Sequence, residues 1–195
     1  LISAPDFAIR RYRTAHSLNS QSHGRAAMIA RYLSPCCLEL LMLMNALVYV
    51  LHLLCAVIWV GGMFFAWMVL RPAAVDTLQA PARLALWNNV LPRFFRWVWL
   101  TLVILPVSGF GMLHLRQQGI ETAPQYVQIM IGLYLVMLSL FLRIQLLMLP
   151  VLQRAVASED WAEAGATLGR IRRLVGFNLL IGMVLVSVAG ARLVI

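Results

Sequence analysis

Apolar residues in this chain gather into four long runs, at 44–70, 97–115, 127–149 and 174–191. Each run is near the ~20 residues that cross a ~30 Å hydrocarbon layer as a helix. Lipid offers backbone N–H and C=O groups no partners, so runs of this length must satisfy them internally, as helices. The pattern predicts an all-α fold: a four-helix transmembrane bundle. Run one is the longest and has to tilt or project beyond the bilayer, with Pro72 as its stop. Pro92 suits the first turn leading into run two, Trp97 and Trp99 suit an interface belt, and Pro106 is placed to kink the helix. Run three is read as ending at Leu149-Pro150. Run four is rich in small residues, Gly176, Gly182, Ser187, Ala189 and Gly190, which allow close helix contacts.

Composition narrows the class. The chain has 195 residues, 62% of them hydrophobic and 12% charged, with a mean hydropathy of +0.84. A soluble domain is roughly 45–50% apolar and about 25% charged, so soluble classes are excluded. The three cysteines, Cys36, Cys37 and Cys55, form no C-x-x-C pair, which argues against a disulfide scaffold and a cysteine zinc site. All 16 basic residues are Arg and the formal charge is +9. These arginines stand between apolar runs and read as topology signals rather than as a nucleic-acid surface. The absence of Lys removes Schiff-base and lysine-base chemistry.

Arg density sets the expected orientation. Arg71, Arg83, Arg93 and Arg96 lie between runs one and two, and Arg154, Arg170, Arg172 and Arg173 between runs three and four. Only Arg116 lies between runs two and three, and only Arg192 follows run four. By the positive-inside rule the first two groups face the cytoplasm and both termini face outward. A bacterial cytoplasmic membrane is the expected location. Before run four, Ser158-Glu159-Asp160-Trp161 reads as a helix start with acids in its first turn and Arg170, Arg172 and Arg173 in its last. This predicts an amphipathic surface helix feeding run four.

Residues 1–43 depart from this scheme. They are polar, carry Arg10, Arg11, Arg13, Arg25 and Arg31 on the expected outer side, and start with Leu. The expectation is a non-native or disordered extension, with the native start at Met44 or Met42 and residues 44–195 as the membrane domain. No apolar core of signal-peptide length precedes Leu38.

Any chemistry must come from a few polar or soft side chains within the runs. His52 lies about eight residues into run one, roughly 12 Å deep at 1.5 Å per residue. With run two ascending and run three descending, Met112, His114 and Met130 fall at the same outer end. Imidazole with thioether suits copper, and two facing imidazoles suit a b-type haem. Helix-to-helix hydrogen bonding is the plain alternative for His52, solvation at the interface for His114, and packing for each Met and for Cys55, which is three residues beyond His52. Arg143, six residues from the inner end of run three, can snorkel. With Gln145 and Asn178 it can form an ordering polar cluster. The runs hold no Asp or Glu, which opposes a carboxylate proton relay, and no phosphate loop, Ser-His-Asp set or His-Glu-x-x-His pattern is present.

Leu51-His52-Leu53-Leu54-Cys55-Ala56-Val57-Ile58-Trp59-Val60-Gly61-Gly62-Met63-Phe64-Phe65, followed by Leu70-Arg71-Pro72, resembles the first span of the copper-resistance D (CopD) domain proteins. Phe94-Phe95-Arg96-Trp97-Val98-Trp99, Pro106-x-Ser108-Gly109, and Ile171-Arg172-Arg173-Leu174-Val175-Gly176-x-Asn178-Leu179-Leu180-x-Gly182 carry the resemblance onward, over residues 44–192 in all. It implies a multi-pass membrane protein that handles copper, with His52 as a ligand and Met63 as a further one, and with a copper ion or a periplasmic copper carrier as partner. HemJ-type protoporphyrinogen oxidases share the His followed by Trp and Gly in span one, which implies haem b on His52 as the alternative. Those enzymes also rely on a Lys in a region matching Gln128–Val136, and this chain has none. A non-catalytic accessory bundle is the third reading.

Overall fold

A computed structural model describes residues 35–115 and 123–191 of the chain. Four helices among them are long and apolar enough to cross a membrane: Glu39–Thr77, Ala80–His114, Gln125–Ala157 and Trp161–Ala191, here spans one to four. No strand occurs among the described residues. The chain divides into two compact units, Leu1–Leu47 and Val48–Ile195. The described part of the first is helical from Pro35. Residues 1–34, on which most of the expected extension falls, lie outside the described residues, as do Arg116 and Arg192.

Within Val48–Ile195 the apolar pattern is turned outward, as lipid requires. Leu53, Leu54, Phe65, Trp97, Val103, Leu146, Phe177 and Leu180 are exposed on the outer faces. A tight core of Val98, Thr101, Met137, Ile144, Leu152 and Ile171 lies inside. Spans three and four share the most extensive contact. At Gly182 they close on span one: a Cβ there would stand 3.0 Å from Val60 Cγ2 and 3.2 Å from Met137 Cε. Without a hydrophobic drive between helices in lipid, close approach of this kind supplies the packing energy.

The helices run past the ends predicted from the apolar runs, and proline explains how. Span one passes through Pro72 to Thr77, and span three passes through Pro150 to Ala157. In each case a π-helical turn ends two residues before the proline: Ala66–Leu70 before Pro72 and Ile144–Met148 before Pro150. Proline has no N–H for the residue four back and its ring crowds that carbonyl. A widened turn just upstream relieves the crowding without ending the helix. Pro72 is therefore not a stop. Pro92 is not in a first turn either, because span two begins at Ala80.

Pro106, inside span two, has a different remedy. Its missing N–H leaves the Leu102 carbonyl without its regular donor. The Tyr134 hydroxyl of span three donates to that carbonyl at 2.8 Å. The expected surface helix before span four is instead continuous with it, from Trp161 to Ala191. Asp160 caps its start, its Oδ1 accepting from the Glu163 N–H at 3.0 Å, and Glu159 makes the preceding turn at φ 57°.

A third π turn, Val57–Gly61, combines with Ala66–Leu70 to decide which side of span one faces the bundle. Cys55, Trp59 and Met63 are buried and Trp67 packs against the same core, with Arg71 next in the series. Each step of four residues overshoots a turn by about 40°, so the series would drift about 160° on a regular α-helix. Each π turn takes up one extra residue, about 100° of rotation, and two of them offset the drift to within about 40°. The stripe stays inward from Cys55 to Arg71.

Candidate metal centre at the His52 end

His52 is half-buried on span one and meets span two, where its Nδ1 lies 2.8 Å from Ser108 Oγ. Ser108 is buried, and its Oγ is also 2.6 Å from the Ile104 carbonyl and 3.1 Å from the Leu105 carbonyl. A carbonyl only accepts, so the single hydroxyl proton goes to Ile104. An imidazole that donates from Nδ1–H to Ser108 Oγ satisfies these contacts together, and in that tautomer Nε2 keeps its lone pair. The ring rests in the notch left by Gly109, where a Cβ would stand 3.5 Å from His52 Cε1. A neutral imidazole oriented through a hydrogen bond at one nitrogen is the form in which histidine binds metals.

The register of neighbouring residues follows from the packing around this pair. Met112, partly buried, is one turn beyond Ser108 on the same face of span two. On span three, Tyr134 packs edge-on against Trp59, with ring centroids 6.1 Å apart and planes at 85°. Met130, also partly buried, is one turn beyond Tyr134 toward the His52 end. His52 itself is seven residues from Trp59, about two turns and ~10 Å. Met130 thus reaches about half the distance from the Trp59–Tyr134 level to His52. Cys55, buried and free, is one turn further into the bundle. His114 is exposed. No group of three or more His, Cys, Asp or Glu gathers among the described residues, so any metal here would rest on imidazole and sulfur together.

Two of the three polar side chains expected to order the bundle, Asn178 and Arg143, go to different places. Asn178 is buried, its Nδ2 3.6 Å from Met63 Sδ and its Oδ1 without a partner. Arg143 is exposed and forms no hydrogen bond with Asn178 among the described residues. Met63 is therefore tied to span four in the core, far along span one from His52. Sequence reasoning passed over Ser108 and Tyr134 as functional groups. Their signal was present: a hydroxyl in an otherwise apolar run, one beside a glycine and two residues after a proline, the other able to reach a proline-orphaned carbonyl.

The family model described as Copper resistance protein D, CopD, matches residues 88–192, more than half of the chain. No curated protein and no solved structure matches. The matched stretch contains Ser108, Met112, His114, Met130, Arg143 and Asn178, and span one with His52 precedes it. Four membrane-length helices and this match together place the protein: it belongs to the copper resistance protein D family, and is a multi-pass membrane protein of a group connected with copper resistance.

Proposed function

We propose that the protein handles copper in the bacterial cytoplasmic membrane, taking Cu(I) at its outer face, from a free ion or a periplasmic carrier, and moving it into or across the bilayer. The observation that carries this reading is the His52–Ser108 pair, taken in the tautomer with the proton on Nδ1 and the lone pair on Nε2. Imidazole and thioether are donors suited to Cu(I). Met112 on span two and Met130 on span three, at the same end, are the partners available to His52, and His114 serves at the exposed mouth. The orientation rests on arginine density, with Arg71, Arg83, Arg93, Arg96, Arg154, Arg170, Arg172 and Arg173 toward the cytoplasm and both termini outside.

The test is a Cu(I) titration of detergent-purified protein against a colorimetric chelator, read together with the absorption spectrum. Colourless protein that binds one Cu(I), with affinity lost in His52→Ala and lowered in Met112→Leu, is the expected result. A Soret band that vanishes in His52→Ala would overturn the copper reading in favour of haem b. Protein that binds neither would leave an accessory bundle.

A further inference from the structure

At the opposite, arginine-rich end, spans one, two and four form a cleft lined by Trp67, Arg71, Trp87, Phe94 and Arg172 with aliphatic walls. Both arginines are held by aromatic faces. Arg71 Cζ lies 4.8 Å from the Trp67 ring centroid, and Arg172 Cζ lies 5.7 Å from that of Trp87. Cation–π contact holds a guanidinium by its face and leaves the N–H fork at its edge unused. Arg172 Nε is buried without a hydrogen-bond partner, and so is Nε1 of Trp87, a residue 4% exposed. Among the described residues no carboxylate pairs with either guanidinium. Arg71 and Arg172 line the same cleft, so their like charges oppose one another. A cluster of cations held together with buried donors unfilled costs free energy unless an anion joins it.

Depth and shape narrow the anion. Arg71 directly follows the apolar run 44–70, and Arg172 stands two residues before the run 174–191. Both are therefore at the level where phosphates of the bilayer lie, and the tryptophans mark the same boundary. The cavity volume is about 30 Å³, enough for one or two waters, and the surface exposed inside it is entirely apolar. A soluble anion enclosed on all sides does not fit a notch of this size. A headgroup laid across its mouth does, with the acyl chain against the apolar wall.

We infer that Arg71 and Arg172 form a specific site for the phosphate of an anionic phospholipid. Guanidinium–phosphate pairing is bidentate and strong where water is scarce.

The experiment is native mass spectrometry of the full chain in detergent, with dioleoyl-phosphatidylglycerol or dioleoyl-phosphatidylcholine added. The expected result is retention of the phosphatidylglycerol over the phosphatidylcholine, reduced about tenfold or more in the Arg71→Gln/Arg172→Gln double variant. The Arg170→Gln/Arg173→Gln double variant removes the same charge at exposed positions of the helix that carries Arg172 and should bind within about twofold of the parent. If the first double variant fails to fold, Arg71→Lys and Arg172→Lys preserve charge and remove the fork, and each should lose retention several-fold. Equal loss in both double variants, equal retention of the two lipids, unchanged retention in the lysine variants, or displacement of the lipid by millimolar inorganic phosphate would each overturn the assignment.

Discussion

Tyr134→Phe removes one oxygen, and its effect can be worked out from the two residues that oxygen connects. Residue 106 is proline, so the Leu102 carbonyl lacks its i+4 donor; Leu102 is 6% exposed, and the Tyr134 hydroxyl supplies the bond at 2.8 Å. Interhelical hydrogen bonds in membranes average about 0.6 kcal/mol and reach about 1.7. An acceptor left buried and empty costs about 1–3 kcal/mol. The overlap of those ranges sets the expectation at about 1.5 kcal/mol. Pro106→Ala restores an N–H to the same carbonyl, so in that background Tyr134→Phe should cost only about 0.5 kcal/mol. The coupling of about 1 kcal/mol exceeds the ~0.3–0.5 kcal/mol within which independent sites add. Reversible unfolding in mixed detergent–dodecyl sulfate micelles, followed by helical circular dichroism across the four proteins, measures it. A Tyr134→Phe cost that is the same in both backgrounds would refute the account of Pro106 and its orphaned carbonyl.

Three further variants have outcomes set by the hydrogen bonding and the packing. Ser108→Ala removes the acceptor that holds the proton on His52 Nδ1; loss of such a support typically lowers metal affinity 10–100-fold. A neutral hydroxyl belongs at the lower end, so Cu(I) affinity in chelator competition should fall about tenfold, and Ser108→Ala should add nothing once His52 is Ala. Gly182→Ala places a methyl 3.0 Å from Val60 and 3.2 Å from Met137 and should lower stability by about 1–2 kcal/mol through overpacking. Gly190→Ala meets nothing within 4 Å and should be neutral or stabilising by up to ~1 kcal/mol, since Ala is the better helix former; the same micellar unfolding compares the two.

Much of this protein was legible in one dimension, because lipid imposes a single demand on every residue of a span. Four apolar runs could only be helices, and their number, order and approximate centres follow from length and hydropathy alone. The small residues of span four pointed to close contacts, realised at Gly182 against Val60 and Met137. The short list of polar and soft side chains in the spans contained His52, which does meet another span, and the run of motifs pointed to the family.

Proline was where one-dimensional reading failed, at Pro72, Pro92 and Pro150. Its local rule says that a helix stops or kinks, yet the outcome depends on what the surroundings offer the orphaned carbonyl and the crowded turn. At Pro72 and Pro150 a widened turn absorbed the conflict, and at Pro106 a tyrosine from another helix did. Those π turns re-phased span one, carrying Trp67 and Arg71 to the same side as Cys55 and Trp59, which no spacing rule for a regular α-helix anticipates. Hydropathy thus determined which segments enter the membrane. Which face of each segment turns inward, and which nitrogen of His52 carries its proton, were decided only when the helices packed, because rotation about a helix axis changes no residue's depth in lipid but changes every neighbour it meets.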